Sequence, residues 1–221
     1  MTESARTQQV SYYDHPSCSN SALSALKREL SAQDQYEYKE ALAVGTLVDA
    51  MLTDPTAIDL ILRTVNGKPY TEEQWKIACR CRDAFNANYV CRSILQGSEL
   101  QVEIYSDMEF EWEGLTFTLP FKSKLDGLKR TVRMAWDLKS TAAKSQAEFE
   151  AYVDRLDYDR SAAVYMRMAD CDRFLIIGVS KQKNPQIYFV VVERGDWWHM
   201  SGENKLIGLA YQYYMLKHNA A

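Results

Sequence analysis

The sequence predicts an α+β fold in which a central mixed β-sheet is flanked by helices. Three observations predict it. Over the first hundred positions apolar residues recur at helical spacing, in blocks closed by cap and turn residues. From Leu100 the period drops to two, the signature of strands. Two short apolar runs, FLIIGVS and IYFVVVE, then follow a helical stretch and precede a last helix.

Each element has its own signal. Cys18-Ser-Asn-Ser21 supplies N-cap residues before ALSALKREL, a short amphipathic helix. A second helix runs from about Tyr38 to Leu52 and stops at Thr53-Asp54-Pro55. Asn66-Gly67-Lys68-Pro69 is a turn, and a longer helix follows from Thr71 to near Gly97. Leu100–Thr118 reads as a hairpin turning at Glu113-Gly114. Phe121–Leu128 and Val132–Ser140 are two more strands, joined by a short basic turn. Helical sequence returns from about Lys144 to Asp170, broken near Leu156–Tyr158. Lys181–Pro185 separates the two apolar strands, and the last helix covers about Gly202–His218. Residues 1–17 are polar and expected to be loosely held, with 18–221 forming a single domain.

Composition narrows the function classes. At 221 residues the chain can bury a sizeable core. No apolar run approaches the ~18–20 residues that cross a bilayer. The start, MTESARTQQVSYYDHPS, has neither a basic nor an apolar signal region, so no membrane contact and a cytoplasmic location are expected. The five cysteines have no scaffold spacing and read as free thiols. A net charge of −4 excludes a surface coated in basic residues, but not a local stripe. Such a stripe runs from Phe121 to Lys139, where Lys122, Lys124, Lys129, Arg130, Arg133 and Lys139 face two acids, Asp126 and Asp137.

Those two acids carry the chemistry. Three stretches fit the pattern acid-x-Lys: Glu37-Tyr-Lys39, Asp137-Leu-Lys139 and Glu203-Asn-Lys205. The first and third lie in helix-prone sequence, where residues two apart face different ways. The second lies in a strand, where period two puts Asp137 and Lys139 on one face. Its neighbour strand sets Lys124 and Asp126 together, so two carboxylates and an ammonium can converge. Two carboxylates suit Mg²⁺, which activates water and neutralises charge in phosphodiester hydrolysis. A nearby lysine can orient the water or stabilise the transition state. The same spacing also fits a cross-strand salt bridge on a solvated sheet face.

The string SKLDGL, followed about ten residues later by WDLKST, resembles the core of the PD-(D/E)XK nuclease superfamily. Over residues 11–195 the chain is similar to the phage-type exodeoxyribonuclease VIII (RecE-like) branch, related to RecB nuclease domains and lambda exonuclease. Ser19–Lys27 resembles that branch's serine-rich opening helix. Gly45-Thr-Leu-Val-Asp49 with Leu52 and Pro55 resembles its GTxxH helix, and Tyr158–Tyr165 its Q-x-x-x-Y helix. The resemblance implies a restriction-endonuclease-like core with catalytic Asp126, Asp137, Lys139, Tyr165 and Ser161. It implies metal ligands at Asp126, Asp137, the Leu138 carbonyl and Asp49, and DNA contacts at Lys27, Arg28, Lys124 and Arg160. The implied activity is a Mg²⁺-dependent (Mn²⁺ as an alternative) exonuclease acting 5′→3′ on linear double-stranded DNA in phage recombination or DNA repair. A ring-shaped homo-oligomer and a single-strand annealing partner are implied as well. An endonuclease on the same core, or a nuclease-derived binding module that no longer cuts, remain alternatives. Two positions depart from the branch: Asp49 stands for His, and Ser161 for Gln. A shorter serine leaves the water to the metal and Lys139, so Ser161→Gln is expected to raise turnover if residue 161 faces them.

Overall fold

Ser19 starts the first helix by accepting the Ala22 N–H on its Oγ at 3.2 Å, and α1 (Asn20–Ser31) buries Leu23 and Leu26 on one side. The computed structural model describes residues 11–31 and 36–219. Helix α2 (Tyr36–Thr53) stops before Pro55, as its sequence requires. Three two-residue strands follow: β1 (Ile58–Asp59), β2 (Thr64–Val65) and β3 (Lys68–Pro69). Strands this short carry no periodicity, which is why only their Asn66-Gly67 turn is legible beforehand.

The helix expected from Thr71 to Gly97 is in fact two, α3 (Glu72–Ala87) and α4 (Tyr89–Leu95). Asn88 divides them. Its backbone is extended and its side chain accepts the Cys91 N–H at 3.1 Å, competing with the helix ladder and capping the second helix.

Strands β4 (Glu99–Trp112) and β5 (Leu115–Lys129) form a hairpin whose turn residues Glu113 and Gly114 have φ of 48° and 82°. The sequence divides β5 at Pro120, yet the strand runs through it. The Pro120 carbonyl accepts the Cys18 N–H at 2.8 Å on the side away from β4, so the missing proline N–H costs the β4 ladder nothing.

Strand β6 (Met134–Thr141) pairs antiparallel with β5 through Gly127–Trp136, Leu128–Ala135 and Lys129–Met134. A Cβ on Gly127 would lie 2.1 Å from the Trp136 ring, so glycine alone lets that indole cross β5. Helices α5 (Gln146–Arg155) and α6 (Tyr158–Ala169) then form the crossover to β7 (Arg173–Ser180), which lies parallel to β6. Strand β8 (Ile187–Glu193) returns antiparallel, and α7 (Trp197–Asn219) begins one turn earlier than the sequence suggests. The sheet order is β4-β5-β6-β7-β8, mixed as expected.

Alternation along β6 and β7 sorts the core into two layers. Trp136, Leu138, Leu175 and Ile177 meet α2 and α3, while Ala135, Phe174 and Ile176 meet α5 and α6. Residues 11–17, expected to be loose, are tied to β5: the Lys122 ammonium donates to the carbonyls of Tyr12 and His15, each at 2.6 Å. Residues 1–10 of that segment lie outside the described residues. Among the described residues no helix is long and apolar enough to cross a membrane.

Candidate active site

Beyond the Gly127–Trp136 pair β5 and β6 part, and Asp126 occupies the gap. Its Oδ2 accepts the Leu138 N–H at 2.7 Å, in the place of a β5 carbonyl. A strand residue turns its N–H and C=O to the same edge, so the Leu138 carbonyl faces this gap too. Asp137 and Lys139 stand two residues apart on the α6 face of β6 and form an ion pair. Asp49 arrives from α2 on the other face. One turn before it, Gly45 lets α2 approach β6, since a Cβ there would stand 3.1 Å from Ser140 Oγ. Thr53 Oγ1 donates to Asp49 Oδ1 at 2.7 Å and accepts from Gln101 Nε2 at 2.6 Å, which fixes the carboxylate.

The charges strain against one another. Burial, then the charges of Asp137 and Asp49, push the Asp126 carboxyl well above the usual carboxylate range. Asp49 is raised as well, by burial first; the Thr53 hydroxyl opposes this and Asp137 adds to it. Burial works against the Lys139 ammonium, yet Asp137, helped by Tyr165, Asp126 and Tyr158, holds its pKa above the ordinary value. Asp137 is 5% exposed, and its Oδ2 faces the Lys139 ammonium.

Among the described residues no three acidic, histidine or cysteine side chains stand together in ligating geometry. Each carboxylate has committed an oxygen to the protein: Asp137 to Lys139, Asp126 to Leu138, Asp49 to Thr53. The donor set still fits a hard divalent cation. Carboxylate and carbonyl oxygens are the ligands such an ion prefers, and their mutual repulsion is what its charge would relieve.

A cavity of about 600 Å³ opens over these groups. Asp49, Asp126, Asp137, Leu138 and Lys139 line it together with Ser24, Lys27, Arg28, Arg155, Arg160 and Lys181. Arg160 is 1% exposed. Its Nη2 donates to Ser24 Oγ at 2.7 Å and Asp157 lies 3.8 Å from Nε, while Nε and Nη1 have no hydrogen-bond acceptor among the described residues.

Other expected site residues stand elsewhere. Lys124 does not line the cavity; it faces Glu103 at 3.8 Å and the Tyr13 ring. Tyr165 is half-buried against Phe174, beside the cavity rather than on its wall, with its phenol pKa raised by burial and then by Asp137. Ser161, expected to face Asp137 and Lys139, turns toward α1, where its Oγ accepts from Asn20 Nδ2 at 2.8 Å and donates to the Asp157 carbonyl at 3.3 Å. Tyr158 takes the place by the lysine, its ring centre 5.2 Å from Lys139 Nζ. Sequence reasoning missed it, although Tyr158 and Tyr165 share a helix face at seven-residue spacing. Arg155 and Lys181 carried no signal, since only the tertiary fold brings them to the wall. In the third acid-x-Lys stretch Glu203 binds Arg167 while Lys205 binds Asp154 and Asp159, so the two do diverge on their helix. The side chains of Glu37 and Lys39 lie outside the described residues.

The Ser161 geometry reverses the mutational expectation. Ser161→Gln forces a longer side chain into the buried α1–α6 contact and should cost about 1–3 kcal/mol of stability. Turnover should not rise. Thermal melting together with single-turnover cleavage checks this, and a faster enzyme of unchanged stability would contradict it.

The profile of a family described as a PDDEXK-like domain of unknown function (DUF3799) matches residues 9–206. The chain belongs to this family. As a DUF3799 protein it is a member of the PD-(D/E)XK nuclease superfamily. No curated protein matches it. Among solved structures, a candidate exonuclease from Eubacterium rectale is similar at 19% identity and a TM-score of 0.57, over 82% of this chain and 68% of that one. That likeness shows a restriction-endonuclease-like fold for the DUF3799 chain. A phage-related exonuclease from Haemophilus somnus 129PT is similar at 15% identity and a TM-score of 0.41, over 69% of this chain and 75% of that one. At that score it adds nothing to the fold assignment.

Proposed function

We propose that this DUF3799 protein is a Mg²⁺-dependent exonuclease that hydrolyses phosphodiester bonds of linear double-stranded DNA, 5′→3′, in phage-type recombination. The observation that carries the reading is the meeting of Asp126, Asp137 and Lys139 where β5 and β6 part, inside a cavity with basic walls. Asp126, Asp137, Asp49 and the Leu138 carbonyl would hold the metal. Bound Mg²⁺, or Mn²⁺, supplies Lewis acidity and a water of lowered pKa. The chain's own groups do the rest. The Lys139 ammonium steadies the attacking water or the charge developing on phosphorus. Lys27, Arg28 and Arg160 hold the DNA backbone, and the Nε and Nη1 groups of buried Arg160, without a hydrogen-bond acceptor among the described residues, suit phosphate oxygens. A ring-shaped homo-oligomer, a single-strand annealing partner and a cytoplasmic setting belong to the same reading.

Incubation with linear and covalently closed plasmid, in Mg²⁺ or EDTA, tests it. The expected result is loss of the linear form alone, and only with Mg²⁺. Opening of the circle would make the enzyme an endonuclease, and binding without cutting would end the enzymatic reading.

A further inference from the structure

Lysine and arginine side chains outnumber carboxylates in the lining of the active-site cavity, although the chain as a whole has a net charge of −4. Several of these cations are engaged by the protein itself. Lys139 is paired with Asp137 and Lys27 with Asp157, while Asp157 lies 3.8 Å from the Arg160 guanidinium. Arg155 and Lys181 differ. Both line the cavity, and among the described residues neither forms an ion pair.

Both are nevertheless held in place. The Arg155 guanidinium lies over the Tyr152 ring, 4.5 Å from its centre. Tyr152 is anchored in turn: its hydroxyl donates to Glu148 Oε1 at 3.0 Å, and Glu148 Oε2 accepts the Lys144 N–H at 2.9 Å. Glu148, Tyr152 and Arg155 recur at spacings of four and three, so they share one face of α5. The Lys144 N–H and the Tyr152 hydroxyl hold the Glu148 carboxyl below its ordinary range, with Arg155 adding least, so that carboxylate compensates the guanidinium little. A guanidinium stacked by its flat face keeps its in-plane N–H groups for a ligand at its edge. Lys181 is set by the backbone. Its N–H donates at 2.8 Å to the carbonyl of Thr141, two residues beyond Lys139 on β6. The next side chain, Gln182, donates to the Ala143 carbonyl at 3.1 Å. Lys181 is itself half-buried, so it has less rotamer freedom to lose on holding an anion.

We propose that Arg155 and Lys181 are a second pair of DNA-backbone contacts, each taking a phosphate that neighbours the one held at Asp126 and Asp137. The inference rests on the nuclease reading and extends its DNA-binding residues from α1 and α6 to α5 and the segment after β7. Arginine offers a phosphate a fork of donors and lysine a compact charge. A polyanion passing through the cavity engages both without breaking an ion pair of either.

Binding of a linear duplex to the full chain in EDTA, read by fluorescence anisotropy over a range of salt, tests this. Arg155→Gln and Lys181→Gln, at an exposed and a half-buried position where folding is little affected, should each weaken binding about three- to tenfold near about 0.1 M salt. Each should also make the slope of log K against log[salt] shallower by about 1. Arg155→Lys should recover the slope but not the full affinity, since lysine keeps the charge and loses the stacked fork. Lys76→Gln, exposed on α3 and outside the cavity lining, should bind as the wild type does. Variants within twofold of the wild type with an unchanged slope, or a loss in Lys76→Gln as large as theirs, would overturn the pair. No metal or cleavage enters the measurement, so a chain that binds as described but cuts no DNA would sink the nuclease reading alone. Metal-dependent cutting by a chain whose two variants bind like the wild type would sink the contacts alone.

Discussion

Asp126→Asn and Asp137→Asn are both expected to abolish DNA cleavage, by at least about 10³-fold, while shifting stability in opposite directions. Each removes a proposed metal ligand, so the catalytic loss is shared. Their neighbours differ. Asp126 sits buried between the charges of Asp137 and Asp49, and asparagine keeps an oxygen for the Leu138 N–H. That variant should equal the wild type in stability or exceed it by up to about 1 kcal/mol. Asp137 instead carries the counter-charge of Lys139, whose side chain is 24% exposed. Its loss leaves an ammonium poorly compensated, at a cost of about 1–3 kcal/mol after allowance for solvent. Single-turnover cleavage and urea melts in EDTA measure the two effects. Cleavage within tenfold of wild type in both variants would remove the site assignment. Equal destabilisation would break the Asp137–Lys139 argument.

The same contrast has a pH signature in the metal-free protein. The folded Asp126 carboxyl lies above the ordinary 3.8, so the folded state holds its proton more tightly than the unfolded chain does. Its stabilising contribution is complete below about pH 3.8 and lost as pH rises through the folded pKa. Asp126→Asn should flatten that loss.

How much of this was legible in the sequence depends on the range of the interaction. Asp137 and Lys139 were readable as a same-face pair because strand period is local. Asp126 joined them because the connection between β5 and β6 is short. The parting of those strands, which makes room for a site, has no local signal; it follows from Trp136 crossing Gly127 and from Asp126 replacing a ladder carbonyl. Asp49 was reached through family resemblance alone, since its approach depends on Gly45 meeting Ser140 across two layers. For α6 the helical period grouped Ser161 with Tyr165 on one face, yet Ser161 turns to Asn20, far away in sequence, and Tyr158 stands beside Lys139. Asn88 and Pro120 mislead in opposite directions: the helical period runs through Asn88, which nevertheless ends α3 and caps α4, whereas Pro120 reads as a break although its N-side is turned from the β4 ladder.

Lys139→Met should lower the single-turnover rate by about 10²-fold or more and leave DNA affinity within about threefold. The ammonium is held by Asp137 and the Tyr158 ring, whereas Lys27, Arg28 and Arg160 are the groups proposed to hold the DNA backbone. Its proposed interactions arise only as charge develops, which is the condition for a loss in rate without a loss in binding. Methionine keeps the length and packing of the lysine stem, so the fold should persist. Removing the cation leaves Asp137 uncompensated, and a divalent ion then has more repulsion to relieve. The rise in melting temperature on adding Mg²⁺ should therefore be larger in Lys139→Met than in the wild type. Weakened DNA binding with intact turnover would make Lys139 a phosphate contact. An unchanged response to Mg²⁺ would mean that the lysine and the metal do not share Asp137.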